Sequence, residues 1–334
     1  MDPVTQGVLG ASLPQAIARN KKQLGIAGLF GVFGGMAPDL DVLIRSDTDP
    51  LLFLEYHRQF THSLFFVPFG GVMVGVLLYY LLGKRLGLTL LVSCIYTTLG
   101  YATHALLDAS TSYGTLLLWP FSSERFAWNT ISVIDPLYTL PLMVGVLMAG
   151  IKKQARFAQM ALVWALVYPL VGSMQRDRAI TAGWEFATSR GHQPVRLEAK
   201  PSFGNIVLWK TVYETDHYYY VDAVQVAGHV KHYKGEKAKK IDIARDFSWL
   251  DLGSQQARDI ERFRWFSNGY IALDPSNSQR IIDVRYSLIP NEIAPLWGIE
   301  LSSAADFDSH ITYTTERQLS DQQREAFVNQ LLGR

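Results

Sequence analysis

The chain has 334 residues, 49% of them hydrophobic, and 31 Lys and Arg against 30 Asp and Glu. A balance this close to zero leaves no broad basic face, so nucleic acid is not an expected partner. Its single cysteine, Cys94, excludes an intramolecular disulfide and a thiolate zinc site.

The average hides a division. Residues 1–174 carry 11 basic and 9 acidic side chains, and residues 175–334 carry 20 and 21. We therefore expect a membrane helical domain over 1–174 and a soluble α+β domain over 175–334. The first 18 residues hold no Lys or Arg, and Arg19, Lys21 and Lys22 follow them, which is the reverse of a secretory signal.

In chain order, a helix is predicted over about 3–19, with Asp2 as N-cap and Pro3 in the first turn. Segment 24–36 is apolar but shorter than the ~20 residues of a spanning helix. Its Gly28, Gly31, Gly34 and Gly35 allow close packing on neighbours. Further apolar helices are predicted over 63–82, 86–107, 137–151 and 157–174, giving about five to six in all. The connections 83–85 and 152–156 are tight, which makes their flanking helices antiparallel. The connections at 19–22, 83–85 and 152–156 hold Arg19, Lys21, Lys22, Lys84, Arg85, Lys152, Lys153 and Arg156. The opposite connections hold only Arg45, Arg58 and Arg125. The positive-inside rule then expects the basic set in the cytoplasm, and the N-terminus, loops 37–62 and 109–132 and everything after 174 outside.

After residue 174 the pattern changes to period two. Strands are predicted over 205–215, 217–226, 270–273, 280–286 and 297–301, and helices over 254–266 and 320–332 with Ser320 as N-cap. This is a small α+β domain with an antiparallel sheet. The four lysines of 234–240 read as a solvated loop. His217, His229, His232 and His310 have no ligand spacing.

The chemistry-bearing residues of the first half converge on one expected membrane face. His104 and Asp108, four apart, share a face at the end of a helix, and ionisable groups there suggest function. Asp39 and Asp41 follow Pro38, His57 and His62 lead into the 63–82 helix, Asp135 opens the 137–151 helix, and Asp2 and Gln6 begin the first. Imidazole with carboxylate suits zinc, manganese or iron, so one or two divalent metals are expected, zinc first. Each piece has a plainer alternative: Asp-x-Asp after Pro makes a turn, and Asp2 and Asp135 make helix caps. Arg58 is a candidate catalytic clamp for a phosphate or carboxylate oxygen.

As an ordered set, Met-Asp-Pro-x-Thr at the start, Pro-Asp-x-Asp at 38–41, His-Arg-x-x-Thr-His-Ser at 57–63 and His-x-x-x-Asp at 104–108 resemble the YdjM-like membrane-bound metal-dependent hydrolases. Leu-Trp-Pro-Phe at 118–121 and Ile-Asp-Pro-Leu-Tyr-Thr-Leu-Pro at 134–141 extend the resemblance, which covers about residues 1–151. It implies a multi-pass bacterial inner-membrane hydrolase, with membrane lipids around it and a small-molecule or lipid-like phosphoester as substrate. It carries Asp39, Asp41, His57, His62, His104 and Asp108 over as metal ligands, with Asp2 and Asp135 at further motif positions. One departure stands out: the family usually has His where this chain has Gln6, and an amide is a poor zinc ligand. The rival reading is a non-catalytic metal-binding scaffold, sensor or transporter.

Overall fold

The computed structural model describes residues 1–334. Two compact units emerge. Unit 1 comprises 1–43, 56–174 and 203–205, and unit 2 comprises 44–55, 175–202 and 206–334. A twelve-residue piece of the expected membrane part thus folds with the second unit.

Unit 1 is helical. Its helices are α1 (Pro3–Ile17), α2 (Leu24–Met36), α4 (Val67–Leu78, continued by a π turn, Tyr79–Gly83), α5 (Leu90–Ser110) and α6 (Pro136–Lys152), together with the start of α7 (Arg156–Ser189). The short α3 (Leu52–Tyr56) crosses from unit 2 into unit 1. Three helical stretches are long and apolar enough to cross a membrane: Lys21–Leu43, Leu90–Ser110 and Arg156–Ser189. A fourth arises if Leu52–His62 and Val67–Gly83, bent by 85°, count as one span. The five to six expected hydrophobic helices are present as α1, α2, α4, α5, α6 and α7, but α1 has 15 residues and α6 has 17, short of a ~20-residue crossing. Met73, Leu91, Ile151, Leu166 and Met174 are among the large apolar side chains on the outside, as lipid-facing helices require.

Close crossings fix the bundle. A Cβ on Gly100 of α5 would meet the carbonyl oxygen of Gly31 on α2, and one on Gly31 would meet that of Gly10 on α1. Small residues here let three backbones touch. Ala27, Phe30, Leu78, Leu88 and Tyr96 fill the space beside the crossing.

Unit 2 holds two antiparallel four-stranded sheets. The first is β1 (Arg196–Pro201), β2 (Leu208–Glu214), β3 (Tyr218–Gln225) and β4 (Lys231–Lys239); the second is β5 (Ile271–Asp274), β6 (Asn277–Asp283), β7 (Trp297–Glu300) and β8 (Thr312–Thr315). Val212, Tyr219, Val221, Tyr270, Ala272 and Ile282 form one core shared by both sheets. In chain order, α8 (Ile243–Asp246) and α9 (Gln255–Phe266) come between the two sheets, the latter capped by Ser254. The chain closes with α10 (Asp321–Leu332), where Ser320 and Gln323 complete a capping box. The lysine-rich 234–240 stretch is a correction: most of it is strand, the end of β4, which pairs only with β3 in its sheet. Lysines along a sheet edge discourage pairing with other chains. Unit 2 also buries charge. Lys210 donates to Ser287 Oγ at 2.7 Å and to the Glu292 carbonyl at 2.8 Å, and burial pushes it down to about 7.

Candidate metal centre

Four side chains from three parts of unit 1 meet at the end of α5. After α2, a 3-10 stretch, Ala37–Leu43, presents Asp39 and, behind it, Asp41. A second 3-10 turn, Phe60–His62, presents His62. One helical turn of α5 presents His104 and Asp108. His62, His104 and Asp108 are fully buried, and Asp39 is partly exposed.

The two imidazoles are oriented from behind. His104 Nδ1 lies 2.5 Å from the Gly35 carbonyl oxygen. A carbonyl only accepts, so this nitrogen carries the proton and Nε2 keeps its lone pair. His62 Nδ1 lies 3.0 Å from Thr61 Oγ1 and 3.2 Å from Asp41 Oδ2. Thr61 already donates to Asp41 at 2.9 Å, so His62 Nδ1 is also the protonated nitrogen. The two Nε2 atoms then face each other at 2.8 Å. Around them stand Asp39 Oδ1, 3.4 Å from His62 and 3.3 Å from His104, and Asp108 Oδ2, at 3.3 Å and 3.7 Å. Electron-pair donors converge with no N–H or O–H between them, so either an extra proton or a cation must sit among them. A carboxylate or carbonyl behind each imidazole is the arrangement that orients metal-binding histidines.

A tetrahedron with metal–ligand bonds of about 2.0–2.1 Å has edges of about 3.3–3.4 Å; three of the four histidine–carboxylate separations fall at that length, the fourth is 3.7 Å, and the Nε2–Nε2 separation of 2.8 Å is shorter. Asp108 supplies a further sign. Its Oδ2 is buried and accepts no aligned hydrogen bond, although Arg58 Nε stands 3.0 Å away. Its Oδ1 is occupied: Gln6 Nε2 donates to it at 2.9 Å and the Met1 α-amine pairs with it. A carboxylate with one oxygen tied back and the other directed at two bare imidazole nitrogens fits a metal ligand.

A second group overlaps the first. Asp39, Asp41 and His57 also bring ligand atoms together, nearer the surface. Asp41 Oδ1 lies 2.8 Å from His57 Nδ1, while Oδ2 accepts from the Arg58 backbone N–H at 2.9 Å and from Thr61. Asp41 therefore serves both groups, facing His57 directly and orienting His62 from behind.

Arg58 is buried and committed. Its Nη1 donates to Thr111 Oγ1 at 3.1 Å, and its guanidinium stacks over Tyr113 at 5.1 Å. Its φ of +64° is left-handed, a conformation that costs a non-glycine residue about 1 kcal/mol or more and persists where surroundings enforce it. Gln6 lines the centre through Asp108. Asp2 and Asp135 belong to neither donor group. The Asp2 carboxylate accepts from the Thr5 N–H, and Asp135 Oδ1 accepts from the N–H groups of Leu137 and Tyr138 and from the Tyr168 hydroxyl. These are helix caps, the plainer of the two sequence readings. Sequence reasoning missed the Gly35 carbonyl, the Met1 amine and Thr111. Main-chain groups carry no residue signal, whereas Thr61 was visible within the His-Arg-x-x-Thr-His run.

Comparison with known proteins bears on residues 1–179, which hold both donor groups. The family model described as YdjM inner membrane protein matches residues 1–179, more than half of the chain. The chain belongs to that family. It is similar to the uncharacterized protein YfhP of Bacillus subtilis (strain 168), 28% identical over 142 residues, which is 41% of this chain and 42% of that relative. The match thus spans less than half the length of the curated relative. No solved structure matches. Family membership and the apolar helices agree that this is a membrane protein.

Proposed function

We propose that the protein is a metal-dependent hydrolase of the inner membrane, acting on a phosphoester or lipid-like substrate at the outer face. The convergence of His62, His104, Asp39 and Asp108 on one point carries this reading. Asp39, His62, His104 and Asp108 would hold a first ion, and Asp39, Asp41 and His57 a second, with Asp39 common to both. A bound divalent metal supplies Lewis acidity and an activated water at neutral pH.

The residues of the chain divide the remaining work. His62 and His104 offer Nε2 because Asp41 and Gly35 hold their Nδ1 protons. Gln6 and the Met1 amine hold one oxygen of Asp108 and leave the other for the centre. Arg58 balances Asp108 from a buried position, which makes it an orienting charge here. The four-donor group is closed, as structural zinc sites are, and catalytic zinc sites keep a position open. Chemistry therefore belongs at the more exposed Asp39–Asp41–His57 side, where His57 is 34% exposed.

That closure also supports the second reading, a non-catalytic metal-binding scaffold. His57→Ala separates the two. For the hydrolase, it should abolish turnover of phosphoester substrates and remove one of two bound metals, leaving the buried one. A scaffold predicts no turnover in any variant and a single metal unaffected by His57. Topology is tested independently. The eight-to-three basic bias supports an outer location for unit 2, so a reporter fused after Arg334 should read as periplasmic; a cytoplasmic signal would reverse the scheme.

A further inference from the structure

Arg58 touches both donor groups, and its main chain and side chain are each held within unit 1. Its backbone N–H donates to Asp41 Oδ2 at 2.9 Å, and its carbonyl accepts from the Leu116 N–H at 3.0 Å. Its Nη1 donates to Thr111 Oγ1 at 3.1 Å, and the Thr111 hydroxyl donates in turn to the Asp108 carbonyl at 2.7 Å. The guanidinium also stacks over Tyr113. These contacts fix Nε 3.0 Å from Asp108 Oδ2, and no aligned hydrogen bond joins the two. Oδ2 is the same oxygen that stands 3.3 Å from His62 Nε2 and 3.7 Å from His104 Nε2. A permanent cation therefore shares a ligand oxygen with the point on which the donors converge.

We propose that Arg58 limits how tightly the buried centre holds its metal, because its fixed positive charge opposes the ion at the oxygen they share. An ion bonded to Oδ2 at about 2.0–2.1 Å would lie within about 5 Å of Nε. Like charges repel strongly at that range in a buried setting, and the repulsion grows with the charge of the ion. Arginine cannot relieve it by losing its proton, and Thr111 and Tyr113 keep the guanidinium from swinging away. Against the repulsion stands the help Arg58 gives in orienting Asp108. That help is duplicated. Gln6 Nε2 donates to Asp108 Oδ1 at 2.9 Å, and the Met1 amine pairs with the same atom. The positive charge on Oδ2 has no such duplicate, so repulsion outweighs orientation. Four closed donors would otherwise hold zinc as a structural site does, and Arg58 makes the metal exchangeable. This role rests on reading His62, His104, Asp39 and Asp108 as metal ligands, and it adds what limits their hold.

Zinc binding to the purified full chain in lipid nanodiscs tests it, with affinity read by competition against a chromogenic chelator and stability by thermal melting with and without zinc. Arg58→Gln should bind zinc about tenfold or more tightly. The same variant, stripped of metal, should melt below wild type, since Asp108 loses a buried counter-charge. A merely structural Arg58 predicts lower melting together with weaker zinc. Arg58→Lys keeps the charge and should bind zinc close to wild type, more weakly than Arg58→Gln. Arg156→Gln, which removes a guanidinium stacked on Phe157, should change neither quantity. Zinc affinity that is unchanged or weaker in folded Arg58→Gln, or that rises equally in Arg156→Gln, overturns the role of Arg58 and leaves the metal centre standing. Should Arg58→Gln fail to fold, Arg58→Lys carries the test: a loss of about tenfold or more there would mean that the planar fork, and not its charge, governs the site. Zinc that His104→Ala does not weaken, or wild type that binds none, overturns the metal reading and the role of Arg58 with it.

Discussion

Replacing His104 with alanine is expected to strip tightly bound zinc from the protein while leaving its helices formed. The imidazole supplies one of four converging donors, so the loss should exceed the roughly 10–100-fold cost of removing an outer-shell partner. Folding should suffer less. The substitution leaves the Gly35 carbonyl without its donor and opens a small space, together about 1–3 kcal/mol. Circular dichroism at matched concentration separates the two effects, and metal content is read by elemental analysis. Asp108→Asn is a harsher change. Asp108 neutralises both Arg58 and the Met1 amine in a buried setting, and breaking a buried pair typically costs about 3–5 kcal/mol. A metal-free Asp108→Asn protein would thus be ambiguous, and a metal-free, folded His104→Ala protein would not.

Gly100→Ala should be among the most damaging single-methyl changes in the bundle. The new Cβ meets the Gly31 carbonyl oxygen and lies 2.9 Å from the Gly31 Cα, and both are backbone atoms that cannot rotate away. α5 must move off α2, at a cost of about 1–3 kcal/mol or more. The displacement also reaches the centre, because His104 is one helical turn further along α5 and bonds Gly35 on α2. Bound metal should fall together with thermal stability. Gly25→Ala is the matched control. It lies in α2 with nothing within 4 Å of the place its new methyl would take, and removing a helical glycine should stabilise by about 0.5–1 kcal/mol. Equal melting temperatures for the two variants would contradict the three-helix crossing.

The donors themselves were legible because side-chain chemistry and helical spacing survive in a linear sequence. His104 and Asp108 had to share a face, and Asp39, Asp41, His57 and His62 stood in short polar runs between apolar ones. What was not legible follows from main-chain and tertiary effects. Asp2 and Asp135 have a ligand's chemistry and a cap's position, and only the N–H groups around them decide for caps. β1 and β8 were hidden for want of a clean alternation. β4 was hidden because lysines on an edge strand resemble a solvated loop. Residues 44–55 pack within unit 2 on partners more than 200 residues later, among them Arg262 on Asp49 and Tyr313 on Phe53. The helices were legible from apolar character, whereas how many of them cross the membrane was not, since α1 and α6 are apolar but have only 15 and 17 residues.

Zinc K-edge X-ray absorption of the zinc-loaded full chain tests the central claim most directly. The account predicts a shell of nitrogen and oxygen at about 2.0–2.1 Å, with the outer-ring scattering of histidine ligands and no sulfur. In His104→Ala, which should no longer hold tightly bound zinc, the signal of the buried centre should be lost. A wild-type spectrum with oxygen neighbours only, or no zinc retained after reconstitution, would contradict it.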